Sequence, residues 1–326
     1  MNDTKKLTEI IIGTNKEEIN RRILKIENSI VGISHKSSKK DENGLVIEGV
    51  PYPNFNEKKN IYEIMEMDNI PGCCIALINN YEIEWLKCYG ERKIGTQDKI
   101  TVKTLFQAAS ISKVLISLMA LHLVDKNLLA LDEPINNKLK DWKIPESDFT
   151  KDKEITIKHV LTHTSGINPP TNGFSYEKGS IPTIDQVLKG EAPAKNDPVK
   201  VEFEPESKHQ YSNLGFIVVE KLLQDVYNKK TNDIAKEIIF DPLGITNSYF
   251  DFPSEELQKQ MIYPHDGSGK AYEPHVGLSP SIFGCGGLIT TSYDLAKIAI
   301  ELMKAYQGKS NKIISPSIAK KCSLVI

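Results

Sequence analysis

The longest apolar pattern in the chain runs from Phe106 to Val124 and predicts a buried helix. After Lys113 its sequence, Val-Leu-Ile-Ser-Leu-Met-Ala-Leu-His-Leu-Val, is apolar on nearly every side. A helix without a polar face belongs in the interior of a protein. The stretch is far shorter than the roughly 20 apolar residues that cross a bilayer. We therefore expect a core helix rather than a membrane span.

Shorter patterns predict a hairpin and several further helices. Residues 73–78 and 83–89 read as strands joined by a turn at Asn79-Asn80, which indicates a β-hairpin. Residues 167–208 and 251–283 are rich in small and turn-forming residues and predict loops. The apolar period and the capping residues predict further helices at residues 17–30, 61–68, 155–166, 215–227, 233–239, 292–306 and from 315 onwards.

Length and charge limit the classes of protein to consider. A chain of 326 residues fits about two domains. Residues 1–55, rich in Lys, Glu and Asn, predict a charged N-terminal extension without chemistry, and residues 56–326 predict the main domain. The net charge of −2 argues against nucleic-acid binding, which needs a basic surface.

The sequence near the start of the chain does not have the pattern of a signal peptide. The apolar run near its start, residues 10–12, is too short for the core of a signal peptide. The five cysteines are odd in number and show no C-x-x-C spacing, which predicts neither a zinc site nor a disulfide framework and favours a reducing compartment. We therefore predict a cytoplasmic protein without a membrane span.

Ser110 and Lys113 stand at the head of the apolar helix. At a spacing of three residues their side chains share one face. A lysine amine in apolar surroundings loses part of its preference for the charged form, so it can accept the proton of a serine hydroxyl, which alone is a weak nucleophile. The backbone N–H groups at a helix N-terminus can stabilise an oxyanion. We predict Ser110 as an acylatable nucleophile and Lys113 as its base.

The spacing alone is a weak signal. The chain contains three other Ser-x-x-Lys tetrads, at Ser37, Ser175 and Ser317. The tetrad at Ser37 lies in a run of charged residues, and only that at Ser110 opens a long apolar helix. Position rather than spacing therefore selects Ser110.

Tyr211-Ser212-Asn213 supplies the second candidate motif. A tyrosine hydroxyl can relay protons between a nucleophile and a leaving group, and an asparagine amide can both donate and accept in orienting a substrate amide. Tyr52-Pro53-Asn54 has the same form, and a buried tyrosine with a satisfied hydroxyl is the common alternative.

These motifs together resemble the serine β-lactamase-related hydrolases, which include class C β-lactamases, D-alanyl-D-alanine carboxypeptidases, D-aminopeptidases and esterases. The resemblance extends from about residue 60 to the end of the chain, and its strength lies in the order of several short landmarks. The landmarks are Pro71-Gly72, Ser110-Ile111-Ser112-Lys113, Leu131-Asp132-Glu133-Pro134, Leu161-Thr162-His163-Thr164-Ser165-Gly166, Tyr211-Ser212-Asn213, Pro242-Leu243-Gly244 and Gly286-Gly287-Leu288.

The resemblance implies an α+β fold of the β-lactamase/transpeptidase type, with an antiparallel sheet flanked by helices and an all-helical lobe. It implies acyl transfer to Ser110, assisted by Lys113 and Tyr211, from an amide or ester such as a β-lactam, a D-amino-acid peptide or a small ester. Asn213, Gly286 and Gly287 would bind this small-molecule or peptide substrate. No metal or organic cofactor is implied, and the sequence does not indicate an oligomeric state.

The chain departs from the family at the third motif. Lys-Thr-Gly is absent, and His265-Asp266-Gly267 and His275-Val276-Gly277 precede Gly286 in loop-like sequence. We therefore expect the domain to be incomplete at its C-terminus and to lack the last strands of the sheet. Loss of one oxyanion donor from such a strand would cost roughly 2.7–4 kcal/mol of transition-state stabilisation.

Two alternatives follow from the same residues. His159 and His163 have the i, i+4 spacing of metal ligands on a helix, although Val160 stands where a zinc protease has its glutamate and no third ligand is evident. The other alternative is a catalytically impaired relic that binds a ligand or a partner without turnover.

Overall fold

The structure is a computed structural model that describes residues 8–12, 15–34, 39–40, 46–47, 52–169, 181–278 and 282–322. The chain divides into two compact units. The first comprises Met1–Val102 and Ile262–Pro274, and the second comprises Lys103–Met261 and His275–Ile326. The predicted boundary at residue 55 stays a prediction.

The first unit contains most of the strands. Its described elements are β1 (Glu9–Ile11), α1 (Lys16–Glu27), β2 (Ile30–Ser34), β3 (Lys39–Lys40), β4 (Val46–Ile47), β5 (Tyr52–Lys59), α2 (Ile61–Met67), β6 (Gly72–Asn79) and β7 (Glu82–Gly90). The strands β1, β7 and β6 form an antiparallel sheet in that order, while β2 pairs with β5 and β3 with β4.

The predicted hairpin is confirmed as β6 and β7. Asn80 and Tyr81 take positive φ angles of 51° and 63° at its turn, and the register shifts between Leu77 and Ile78. Trp85 of β7 is fully buried and packs against Ile19 and Ile23 of α1. The apolar face of α1 therefore covers this part of the sheet.

The cysteine prediction is wrong for one pair. Cys74 and Cys88 face each other in the register of β6 and β7 and form a disulfide. The sequence hid this pair because cross-strand neighbours depend on the length and register of the hairpin turn, not on cysteine spacing alone.

The second unit is mainly helical. Its described elements are β8 (Phe106–Gln107), α3 (Ser112–Asp125), α4 (Ile157–Leu161), α5 (Ile184–Lys189), α6 (Asn213–Tyr227), α7 (Thr231–Ala235), α8 (Asp241–Leu243), α9 (Glu255–Gln258), β9 (Ile289–Thr290), α10 (Ser292–Tyr306) and α11 (Pro316–Cys322). A π-helical turn at Lys236–Phe240 joins α7 to α8, and β8 pairs with β9 antiparallel.

The predicted core helix is confirmed as α3. Ten of its residues are buried, and it shares one large hydrophobic cluster with α6, whose Leu214, Ile217 and Val218 are inaccessible to solvent. Because two apolar helices pack here, the side chains at their N-terminal ends are held at fixed positions.

The predicted helix at 155–166 is wrong in its second half. It is α4, which ends at Leu161, and His163 lies beyond it with a φ of +56°. The His163 and Thr164 N–H groups donate to the carbonyls of Val160 and His159, which is the pattern of a Schellman C-cap. A histidine occupies the position at which such a cap usually has glycine, so the sequence contained no glycine to indicate that the helix ends at Leu161. His159 and His163 therefore do not share a helix face.

The described ranges contain neither a membrane-spanning helix nor a cluster of metal-binding side chains. No helix within them is long and apolar enough to cross a bilayer. No group of three or more His, Cys, Asp or Glu side chains in the described part of the chain is arranged to hold a metal ion. The predicted loop at 167–208 includes residues 170–180, which lie outside the described residues.

We predict that the cap of α10 carries measurable stability. The buried Thr291 side chain accepts the Asp294 N–H at 3.1 Å. Thr291→Ala removes this bond and should lower the free energy of unfolding by about 1 kcal/mol in urea denaturation. Tyr306→Ala, at the exposed other end of the helix, should change it by less than about 0.5 kcal/mol. Equal losses in the two variants would contradict the capping role.

Candidate active site

Ser110 lies in a tight turn immediately before α3. Residues Ala109–Ile111 form a single 3-10 turn, and Ala109 takes a φ of +45°, a left-handed conformation that is strained for a residue with a Cβ. Ser110 is exposed, whereas Ser112 and Lys113 are buried. The turn therefore presents the Ser110 hydroxyl to solvent and directs the next polar side chains inward.

Three of the predicted site residues meet at one point. The Lys113 Nζ donates to the Ser110 Oγ at 3.1 Å, and the Ser110 Oγ and the Tyr211 hydroxyl share a hydrogen bond of 2.8 Å. Tyr211 is 45% exposed and reaches this point from a segment 101 residues away in the sequence. The serine oxygen thus has an amine on one side and a phenol on the other.

Lys113 is buried, and its side-chain amine has several interaction partners. The residue is only 6% exposed. Its Nζ donates a short hydrogen bond to the Cys285 carbonyl and lies 4.9 Å from the Tyr211 ring centre and 5.6 Å from that of Phe216. A carbonyl oxygen and two aromatic faces are groups that attract an ammonium. They fix the amine at a position from which it reaches Ser110.

A buried carboxylate holds one end of the segment that carries the Cys285 carbonyl. Glu220 of α6 is inaccessible to solvent and accepts from the Phe283 N–H at 3.1 Å and the Gly284 N–H at 2.8 Å. The Thr231 hydroxyl donates to its other oxygen at 2.6 Å. Burial raises the pKa of the Glu220 carboxyl above its usual value.

The other end of the same segment is bonded to the turn that carries Ser110. The Ser112 hydroxyl donates to the Ala109 carbonyl at 2.6 Å and accepts from the Leu288 N–H at 2.9 Å. The Ala108 N–H donates to the Leu288 carbonyl at 2.8 Å. Residues 283–288, which we call the glycine turn, are therefore tied both to α6 and to the chain on either side of Ser110.

The three predicted substrate-binding residues have different surroundings. The Asn213 Oδ1 is buried and has no hydrogen-bond partner, which leaves an acceptor in need of a donor. The Gly286 and Gly287 N–H groups both donate to the Phe283 carbonyl, at 3.2 and 2.8 Å. A Cβ added at Gly286 would lie 3.8 Å from the backbone of Ala109, so this glycine borders the turn that carries Ser110. The substrate-binding role of all three stays a prediction.

The His163 ring packs against the Tyr211 ring. Its ring centre is 4.5 Å from that of Tyr211 and 5.2 Å from that of Phe216. Burial, and then the neighbouring His209 and Lys113, lower the pKa of His163 to about 4. The imidazole is therefore neutral at neutral pH.

A cavity of about 350 Å³ adjoins Lys113, lined in part by Ser117, His163, His209 and Phe216. A larger one of about 890 Å³ is bounded by residues 134–155 and includes none of the predicted site residues. The candidate site is therefore identified by the functional groups that line the smaller cavity and not by cavity volume.

The remaining motif matches do not gather comparable groups. Ser317 and Lys320 are exposed on α11, while Ser37, Ser175 and Lys178 lie outside the described residues. His265 borders a turn in which the Asp266 carboxylate accepts from Ser268 and Lys270 N–H groups, as expected for a loop. His275 Nδ1 contacts the Gln258 amide oxygen at 3.1 Å.

Comparison with known proteins adds a decisive observation. The model of the β-lactamase family matches residues 58–317. The chain belongs to the β-lactamase family. The match covers both units, including the hairpin β6–β7 and all the site residues discussed above.

Individual relatives of the chain are distant. It is 26% identical over 269 residues to an unguisins hydrolase of Aspergillus campestris, covering 79% of the chain and 48% of that protein. It is 24% identical over 248 residues to a teichoic acid D-alanine hydrolase of Staphylococcus aureus, covering 74% of the chain and 56% of that protein. The chain thus spans about half the length of these curated relatives.

A solved structure shows the same fold. The octameric penicillin-binding protein homologue from Pyrococcus abyssi superposes with a TM-score of 0.65 at 25% identity, covering 80% of the chain and 58% of that protein. The predicted β-lactamase/transpeptidase-like α+β fold is confirmed.

The residues that hold the site together were not predicted from the sequence. Glu220 and Ser112 were not singled out, and His163 was considered as a metal ligand and as part of a family landmark but not as a support for Tyr211. The available signal for Glu220 was its place directly after the apolar run Phe216–Val219 of α6, because buried carboxylates require partners.

We predict that Glu220 stabilises the glycine turn through its acceptor oxygens. Glu220→Ala leaves the Phe283 and Gly284 N–H groups unpaired in the core and should lower the free energy of unfolding by at least about 2 kcal/mol. Glu220→Gln keeps one acceptor oxygen in the same shape and should lose less than half as much. Urea denaturation measures both values, and a Gln variant as unstable as the Ala variant would refute the role of the oxygens.

We predict an acid-dependent loss of stability from His163. In the unfolded chain this histidine takes up a proton near its ordinary pKa of 6.5, whereas in the folded chain it does so only near a pKa of about 4. The free energy of unfolding should therefore fall as the pH drops from 6.5 to 4. Because the ring is only partly buried, the contribution from His163 is at most about 3 kcal/mol. Above pH 6.5 this residue adds no pH dependence.

The measurement is urea denaturation between pH 4 and 7 for the wild type and for His163→Asn, whose amide does not titrate. The variant should show a shallower slope over this interval. Parallel slopes would mean that His163 protonates equally easily in the folded and unfolded states.

Proposed function

We propose that the chain is a serine hydrolase that accepts an acyl group from an ester or amide on Ser110. The observation that supports this most directly is the exposed Ser110 Oγ within hydrogen-bonding reach of both the Lys113 Nζ and the Tyr211 hydroxyl. A serine acts as a nucleophile when adjacent groups accept its proton. Two such groups are in place.

The proposed reaction runs in two halves. The Ser110 Oγ bonds to the substrate carbonyl carbon while its proton passes to the Lys113 amine in its neutral form or, through the shared hydrogen bond, to the Tyr211 oxygen in its phenolate form. The same group then gives this proton to the departing alcohol or amine, which leaves an ester on Ser110. A water molecule next attacks that ester and gives its proton to the same group. The bond between the acyl carbon and the Ser110 oxygen breaks, a carboxylic acid leaves, and the proton returns to the Ser110 oxygen.

The substrate class follows from the family and from the surroundings of Asn213. The relatives include proteins named for hydrolysis of D-alanine and for penicillin binding. The buried Asn213 Oδ1 has no hydrogen-bond partner, so turning this side chain toward a substrate N–H would break no existing bond of that oxygen. We therefore propose small esters, D-amino-acid peptides and β-lactams as the substrates to test.

A second candidate function is acylation or ligand binding with little turnover. The Gly286 and Gly287 N–H groups both donate to the Phe283 carbonyl, so neither is free to stabilise an oxyanion in this arrangement. One missing oxyanion donor slows catalysis by about 10²–10³-fold. Under this alternative the chain would acylate once and release product slowly.

We predict that Ser110→Ala abolishes covalent labelling by a fluorescent fluorophosphonate and by a fluorescent penicillin. It should also lower hydrolysis of an aryl ester by about 10³-fold or more, because the nucleophile is lost. Ser317→Ala is the matched control, since Ser317 has the same Ser-x-x-Lys spacing on α11 and should behave as wild type. Labelling that survives in Ser110→Ala would refute the assignment.

The same assay separates the two functions. Steady turnover of an ester, a D-amino-acid peptide or a chromogenic cephalosporin supports a hydrolase. A single equivalent of product per chain followed by near-arrest supports the low-turnover alternative, and a wild type that never labels contradicts both acylation schemes.

A further inference from the structure

We propose that His163 is a positioning residue that fixes the Tyr211 phenol against Ser110 by bonding the backbone on both sides of Tyr211. The inference rests on the proposed function for its catalytic consequence. Its structural basis is independent of that function and can be tested separately.

The two bonds come from different parts of His163. Its backbone carbonyl accepts the Gln210 N–H at 2.8 Å, and its Nδ1 accepts the Ser212 N–H at 3.2 Å. The residues immediately before and after Tyr211 are thus both attached to one histidine. Tyr211 lies in irregular backbone just before α6, so it has no helix or strand ladder to hold it.

The imidazole ring adds a third contact. It lies 4.5 Å from the Tyr211 ring, centre to centre, at an interplanar angle of 35°. The Lys113 amine lies on the Tyr211 ring at 4.9 Å from its centre. The tyrosine ring therefore contacts both the histidine and the catalytic amine, and its hydroxyl meets Ser110.

The backbone conformation explains why the histidine can do this. With a φ of +56° at the C-cap of α4, the His163 carbonyl and side chain both turn toward the segment at 209–212 instead of continuing the helix. The acceptor role of Nδ1 requires the neutral ring with its proton on Nε2. His209, Lys113 and the Tyr211 hydroxyl are the titratable groups that neighbour this ring.

Two substitutions separate the parts of this contact. Both Gly and Asn tolerate a positive φ, so neither should strain the cap of α4. His163→Gly removes the ring and the Nδ1 acceptor, whereas His163→Asn keeps an acceptor oxygen near the position of Nδ1. His209→Asn is the matched control, because His209 is an exposed neighbouring histidine whose ring only touches that of His163 at 5.8 Å.

The catalytic measurement is the rate at which a fluorophosphonate phosphonylates Ser110 with loss of fluoride. His163→Gly should slow it by about tenfold to a hundredfold, because small displacements of a catalytic group are costly. His163→Asn should recover part of the loss, and His209→Asn should stay within about twofold of wild type. Each variant is assayed only at temperatures at which circular dichroism shows it to be folded.

A double-mutant cycle distinguishes positioning from a general structural effect. If His163 acts through the phenol, His163→Gly should change the phosphonylation rate by less than about twofold once Tyr211→Phe has removed the hydroxyl. An equal fold-loss in the Tyr211→Phe background would overturn the inference. A His163→Gly variant as fast as wild type would overturn it as well.

Amide hydrogen exchange tests the contact without any catalysis. Exchange at the Ser212 N–H, whose acceptor is the His163 Nδ1, should accelerate by at least about tenfold in His163→Gly and remain unchanged in His209→Asn. The Gln210 N–H, whose acceptor is the His163 backbone carbonyl that glycine keeps, should change less. Unchanged exchange at Ser212 in His163→Gly would refute the side-chain contact even in an active protein. Faster exchange in a chain that never labels would support the contact and count against the proposed function alone.

Discussion

The candidate site depends on one constraint, which is that an amine must be kept inside the protein and still reach a serine hydroxyl at the surface. Removing Lys113 from water is costly unless its donors find acceptors. The Cys285 carbonyl, the Ser110 oxygen and the faces of two aromatic rings meet that need. The rest of the site can be understood as the means of holding these partners in place.

The partners are distant in the sequence but share their supports. The helix α6 follows directly after Tyr211 and, through Glu220, also holds the glycine turn that presents the Cys285 carbonyl. The same turn is fastened to Ala108 and Ser112 on either side of Ser110. A shift of α6 against α3 would therefore displace the phenol and the carbonyl together, so the packing of these two apolar helices sets the geometry of all three groups.

The sequence predicted those parts of the molecule whose signals are local. The apolar run of α3, the two strand segments of the hairpin with the turn between them, and the apolar period of α10 each carry their structural preference within a few residues, and all three elements are confirmed. The meeting of Ser110, Lys113 and Tyr211 was predicted only because several landmarks occurred in family order. Spacing alone did not separate Ser110 from Ser317.

The sequence could not predict features that depend on the register or on a single backbone angle. The Cys74–Cys88 pair is created by the hairpin register, and the end of α4 by a histidine in a conformation that usually belongs to glycine. His159 and His163 consequently looked like an i, i+4 pair.

The left-handed conformation of His163 is informative about the site itself. A left-handed histidine is less favourable than a glycine by the cost of placing a Cβ at positive φ, roughly 1–2 kcal/mol. Glycine there would close α4 equally well, but it could not offer an imidazole nitrogen to Ser212 or a ring to Tyr211. Ala109, which directly precedes Ser110, is also left-handed and carries a similar local cost. Other left-handed residues, such as Tyr81, lie in turns away from the candidate site. His163 and Ala109 differ from them because each lies within contact of the Ser110–Lys113–Tyr211 cluster or its supports, where the position of a few atoms can matter more than the stability of a single turn.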